Sequence, residues 1–280
     1  MSAKSTVVTL GNRRYQVARG WARMPVEVTH NVLTKGAADA SGNIYLCQRA
    51  DPPVLKFDRN GAFVAGFGAG LIDDAHGIFV GHDGGVWVVD RDGQQVVKFT
   101  QDGTVLITLG ERQNPKTGAP FNHPTDVAEG PSGDIYVTDG YGNAHVHRFS
   151  PDGVLRRSWG GFGSGPGQFS TPHGIKVARD GRVFVGDREN NRIQIFDADG
   201  VYLTAWRDLY HPMDLHIAAD GLIFVTDQTP SLQLRAVDGT IMGRCRPSDA
   251  NPHGITGDAN GNIFIVESRT RLVARFSPIV

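Results

Sequence analysis

A chain of 280 residues with 28 Lys and Arg against 29 Asp and Glu is long enough to bury a substantial core and carries a net charge of −1. That balance excludes a basic footprint for nucleic acid and a polybasic membrane patch, and no apolar run approaches the roughly 18 residues of a membrane span. The 36 glycines are scattered among apolar runs, which marks a turn-rich β protein rather than a disordered one.

The opening "MSAKSTVVTLGNRRYQ" has no apolar h-region followed by a small-residue cleavage site, so no secretory signal is expected. "YQVARGWAR" (15–23) reads as an isolated strand that ends in Trp21. Beyond it the chain repeats. Six apolar runs follow one another: "GNIYLCQR" (42–49), "GVWVVDR" (85–91), "DIYVTDG" (134–140), "RVFVGDR" (182–188), "LIFVTDQ" (222–228) and "NIFIVES" (262–268). Their aromatic and β-branched residues suit buried strands. A Gly-containing turn precedes each run. In most copies a third strand follows ("VLKF", "VVKF", "HVHRF", "IQIF"), and then a second Asp-Gly or Asn-Gly turn. Such dipeptides between apolar runs are strong hairpin signals. Each unit is therefore a four-stranded antiparallel meander of about 40 residues, the period of a propeller blade.

The sixth unit stops at "RFSPIV", where its fourth strand should begin, and 15–23 supplies that strand, with Trp21 where Trp159 and Trp206 fall. The expectation is an all-β, six-bladed β-propeller, a single domain over 1–280 whose last blade is closed by an N-terminal strand. The tail "SPIV" and the insertions 110–122 and 160–170 are candidates for the channel mouth or a partner surface.

Ten residues before the second-strand positions Ile44, Val86, Ile135, Val183, Ile223 and Ile263 stand Thr34, His76, Thr125, His173, Met213 and His253. The histidines share one slot at the start of the innermost strand, on alternate units, about 120° apart in a six-fold ring. Thr and Met fill the slot elsewhere, so folding does not demand His there. Three convergent imidazoles with a free fourth position are a catalytic-zinc arrangement, although His₃ also suits iron and other transition metals. A second slot after the second strand holds Arg49, Arg91, Gly140, Arg188, Gln228 and Ser268, with Tyr141 next to Gly140. Arg49 and Arg188 could bind a carboxylate, and Tyr141 could act as acid or base. Arg91 reads as a surface pair with Asp90 or Asp92, His82 as a turn residue, and His145 and His147 as surface. Cys47 and Cys245 lack metal spacing, and so few cysteines fit a reducing, cytoplasmic setting.

Across about 36–270 the chain resembles the NHL-repeat propellers, and within them peptidyl-α-hydroxyglycine α-amidating lyase. The resemblance is densest in "PTDVAEGPSGDIYVTDGYGNAHVHRFSPDG", "GPGQFSTPHGIKV" and "DRENNRIQIF". It implies a catalytic zinc on His76, His173 and His253, an active-site tyrosine at Tyr141, and substrate-binding arginines at Arg49 and Arg188. The family's structural calcium would take backbone carbonyls at Gly36 and Ile78 and an Asp after the third histidine. That residue is Gly254 here, so the calcium set that the resemblance implies lacks its carboxylate. The active-site methionine of the family is replaced by Asn251, and Gly142 stands where one of its disulfide cysteines would.

The expectation is a zinc-dependent carbon–nitrogen lyase. It would cleave a small carbinolamide (an α-hydroxy amide) to an aldehyde such as glyoxylate and an amide, with neither nucleic acid nor membrane as partner. The alternatives are a metal-dependent hydrolase of esters or lactones on the same residues, and a non-enzymatic propeller that binds a protein or small ligand.

Overall fold

A computed structural model describes residues 6–247 and 251–279. Six antiparallel sheets are arranged as blades, and the first strands of successive blades lie side by side, blade 6 against blade 1. The protein is a closed six-bladed β-propeller. Among the described residues the lone helical element is a 3₁₀ turn at Arg188–Asn190.

Burial follows position in the blade. Every residue of each second strand is buried, because both of its faces meet a neighbouring blade. Examples are Val86–Asp90 and Ile135–Asp139. Fourth strands such as Leu155–Gly160 are largely exposed. The core is divided into six apolar clusters, each built from side chains of two adjacent blades. One contains Tyr45, Phe67, Ile78 and Phe99, and the next around the ring contains Trp87, Phe121, Val137 and Phe149. No blade owns a core of its own, so the ring must close for any blade to be fully dry. In every first hairpin the glycine of the turn has positive φ, as at Gly84 (81°) and Gly181 (85°), which a side chain would strain.

Closure uses the N-terminus. Arg13–Ala18 pairs with the third strand of blade 6, Leu272–Pro278. Trp21 lies just past that strand and donates its N–H to Val273 O at 2.9 Å. That is the register at which Trp159 faces Val146 and Trp206 faces Ile193. A further strand, Thr6–Leu10, adds outside Arg13–Ala18 and makes blade 6 five-stranded. The sequence reading did not include this strand. The tail, a candidate for the channel mouth or a partner surface, runs along the closing strand: Ser277 pairs with Gln16 and Pro278 with Tyr15. Val280 lies outside the described residues.

The insertions 110–122 and 160–170 precede first strands, on the side of the histidine slot, and side chains of the blades below tie them down. Asn143 donates to Lys116 O (3.0 Å) and Ala119 O (3.2 Å). The Arg192 guanidinium donates to Ser164, Gly165 and Gln168 carbonyls at 2.8 to 2.9 Å.

Candidate metal centre and its collar

Thr34, His76, Thr125, His173, Met213 and His253 are each the second residue of a blade's first strand, and in every blade the register with the second strand shifts there. The slot residue is thus the extra residue of a bulge, which turns its side chain out of the pleat and toward the axis. His76, His173 and His253 meet there with ring centroids 4.9 to 5.2 Å apart, and their ligand nitrogens lie within 4.8 Å of one another.

The three blades between them supply the second half of the device. His76 Nδ1 lies 2.6 Å from Thr125 O, His173 Nδ1 2.8 Å from Met213 O, and His253 Nδ1 2.9 Å from Thr34 O. A carbonyl only accepts, so each Nδ1 carries the proton and each Nε2 presents a lone pair to the centre. Burial, above all, keeps these imidazoles neutral. His253 is pushed down to about 3 by burial and then by the Lys35 ammonium. His76 is held well below the usual range by burial, then by His253 and Lys35. His173 is held down by burial, then by His76 and His253.

Tyr141 caps the triad. Its hydroxyl oxygen is 3.1 Å from His76 Nε2 and 3.1 Å from His173 Nε2, and it accepts from Arg188 Nη1 at 3.2 Å. One phenol proton can serve only one of these acceptors. Three convergent neutral nitrogens with their lone pairs turned inward fit a transition-metal cation, which His76, His173 and His253 would hold beside the Tyr141 hydroxyl.

The next residue in each first strand also alternates: Lys35, Gly77, Asp126, Gly174, Asp214 and Gly254. The glycines follow the histidines for a steric reason. A Cβ on Gly254 would stand 2.8 Å from Thr34 O and 2.7 Å from Lys35 Cα, and on Gly77 2.8 Å from Thr125 O. Glycine lets the neighbouring strand bring its carbonyl to the imidazole. Below the triad, Lys35 Nζ lies 2.8 Å from Asp126 Oδ2 and 3.2 Å from Asp214 Oδ1. Lys176 pairs with the same two atoms at 3.2 and 3.4 Å. The channel beneath the triad therefore holds two ammonium groups of the chain's own. The sequence reading missed this floor, although the same alignment that found the histidines contains it one column further on.

Arg49, Arg91, Tyr141, Arg188, Gln228 and Ser268 form the collar, and each donates its backbone N–H to the segment just before its blade's first strand. Two of the arginines pack on the tyrosine. Arg188, expected to hold substrate, places its guanidinium 5.2 Å from the Tyr141 ring centroid and pairs with Glu189. Arg91, read as a surface pair, does bind Asp92, but it also binds Asp74 at 3.0 Å and stands 5.6 Å from the Tyr141 centroid. The phenol is clamped by the arginines of the blades on either side of its own. Arg49 is held by one acid, Asp74, at 3.3 Å, and that contact lacks hydrogen-bond geometry. His147, read as surface because it alternates with His145, is fully buried.

A family profile described as "NHL repeat" matches residues 121–149 and 169–196. Human NHL repeat-containing protein 3 is 28% identical over 95% of this chain and 84% of its own length. Peptidyl-glycine alpha-amidating monooxygenase B of Xenopus laevis is 33% identical over 72% of the chain, which spans 26% of that protein. A probable peptidyl-alpha-hydroxyglycine alpha-amidating lyase of Caenorhabditis elegans is 36% identical over 47% of the chain and 39% of its own length. Among solved structures, a Xanthomonas campestris gluconolactonase shares the fold, with a TM-score of 0.73 at 16% identity over 99% of this chain and 96% of that one. The chain is a six-bladed propeller that carries NHL repeats at 121–149 and 169–196, and its sequence relatives include the peptidyl-α-hydroxyglycine α-amidating lyases.

Proposed function

We propose that the protein is a zinc-dependent lyase that cleaves the carbon–nitrogen bond of a small carbinolamide bearing a carboxylate. The observation that carries this reading is the triad itself: three buried, neutral imidazoles fixed as acceptors by carbonyls of the alternate blades, under a tyrosine hydroxyl. The sequence relatives with lyase names support the reaction class. A bound transition metal would act as Lewis acid toward an oxygen placed at the centre.

The chain's own groups supply the rest. Arg188 donates to the Tyr141 oxygen, so the phenol's hydrogen bond can turn toward the centre, and the clamp holds the ring in place. Tyr141 relays one proton: it gives its phenol proton to the departing amide nitrogen as it takes the proton of the substrate hydroxyl. The C–O bond becomes a carbonyl, the C–N bond breaks with its electron pair on nitrogen, and Tyr141 ends as the phenol it began as. Arg49, the least restrained arginine of the collar, pairs with the carboxylate.

Elemental analysis of wild type and His173→Ala tests the centre, and glyoxylate release from α-hydroxyhippurate tests the chemistry. The expected outcome is about one zinc per chain in wild type and none in the variant, with glyoxylate formed by wild type alone. No stoichiometric transition metal in wild type overturns the reading. A metal without turnover of any α-hydroxy amide leaves the centre and removes the lyase.

A further inference from the structure

Blade 3 differs from blades 4 and 5 at a second place, on its outer half. In blades 4 and 5 the third residue of the third strand is a glutamine. Gln194 Nε2 donates to Asp187 Oδ2 at 3.2 Å and to Gln168 O at 2.7 Å. Gln233 Nε2 donates to Asp227 Oδ2 at 3.2 Å and to Asp208 O at 3.0 Å. An amide there anchors the blade to its own acid, while blades 1, 2 and 6 hold Leu55, Val97 and Ala274 at the same register, so the fold requires no imidazole there. Blade 3 carries His147 at this register, and the residue opposite it on the fourth strand is Ser158, where blades 4 and 5 have Ala205 and Arg244. Both positions changed together, to an imidazole facing a hydroxyl.

The groups form a line across three strands. His147 Nε2 is 3.3 Å from Asp139 Oδ2, and His147 Nδ1 is 2.7 Å from Ser158 Oγ. Asp139 and His147 are fully buried, whereas Ser158 is exposed on the edge strand. The carboxylate is fixed by Asn122 N–H at 3.0 Å to each oxygen and by Asn143 Nδ2 at 2.8 Å. A carboxylate only accepts, so the proton sits on Nε2 and the free lone pair on Nδ1, toward the serine. The rings of Phe121 and Phe149 pack against the imidazole, with centroids 5.7 and 6.5 Å away. Nucleophile, base and orienting acid thus stand in hydrogen-bonded order, with only the nucleophile open to solvent.

We infer that Ser158, His147 and Asp139 form a second reactive centre on the rim of blade 3, with Ser158 as an acyl acceptor for small activated esters. Ser158 Oγ bonds to the acyl carbon as its proton passes to His147 Nδ1, and Asp139 stabilises the imidazolium. The ester C–O bond breaks and the alcohol leaves with the proton from Nδ1. Water then attacks the acyl carbon and gives a proton to Nδ1. The carboxylic acid departs, and the proton returns to Ser158.

The test uses the whole protein, a fluorophosphonate probe and p-nitrophenyl acetate. Peptide mapping should find the phosphonyl group on Ser158. Ser158→Ala should abolish that label. His147→Gln, which installs the residue that blades 4 and 5 use natively, should slow it by about 100-fold or more with an unchanged melting temperature. His173→Ala should label at the wild-type rate, which separates this centre from the metal centre. No label at Ser158, or wild-type labelling of His147→Gln, would each overturn the inference and leave His147 as a structural bridge.

Discussion

Each triad histidine uses its two nitrogens for different tasks, one for a neighbouring blade's carbonyl and one for the axis. The chemistry of the centre therefore depends on residues whose side chains never touch it. Tyr141 is the exception, because it reaches the triad directly and is clamped between Arg91 and Arg188. Tyr141→Phe keeps the ring in its clamp and removes only the hydroxyl. Metal content should be unchanged while kcat drops by about 10²- to 10⁴-fold, measured on α-hydroxyhippurate. Arg49→Ala should act differently, raising KM for carboxylate-bearing substrates more than for neutral α-hydroxy amides. Equal KM changes for the two classes would remove Arg49 from carboxylate binding. The sequence made the histidines legible because one short word recurs at one register. It hid the role of Arg91, because a clamp on a tyrosine from the next blade leaves no mark in local spacing.

At the scale of the strand, His-Gly is one structural unit. The bulge aims the imidazole, and the absent Cβ admits the carbonyl that fixes its tautomer. Gly254→Ala would push on Thr34 O and Lys35 Cα. It should weaken metal binding by about 10- to 100-fold, read by titration calorimetry, while circular dichroism shows an intact β fold. Undiminished affinity would mean that the carbonyl contact is dispensable. Second strands were legible because they are apolar on both faces, and the paired Asp-Gly turns set the period. Thr6–Leu10 was not legible. It adds outside the fourth-strand position of its blade, where no other blade has an equivalent, so an alignment of repeats could not place it. The Lys35, Asp126 and Asp214 floor was hidden for another reason, since three different residues in one column do not look like a repeat.

At the scale of the whole ring, stability resides in the interfaces between blades. Removing residues 1–18 deletes the two strands that cover Leu272–Pro278 and leaves an open edge. The truncated chain should melt at lower temperature and scatter light at concentrations where the full chain does not. The channel also carries a pH response at its lower end, where His216 and Lys176 line a cavity of about 190 Å³. Burial, and then Lys176, holds His216 down at about 4 against an ordinary 6.5. The neutral form is the one that folds. Its contribution is full above 6.5, where both states are neutral, and is lost as pH falls through about 4, because the unfolded chain takes up the proton first. His216→Asn should therefore lose less thermal stability than wild type between these limits, in a melting series across pH. The alternation of His-Gly blades with carbonyl-donating blades has a consequence for descent. A ring with two kinds of member in strict turn must have an even number of them. Gain or loss of a single blade would set two members of one kind side by side and leave a histidine without its acceptor or an acceptor without its histidine. A propeller of this design can therefore change size only by whole pairs of blades, and its heritable unit is the pair.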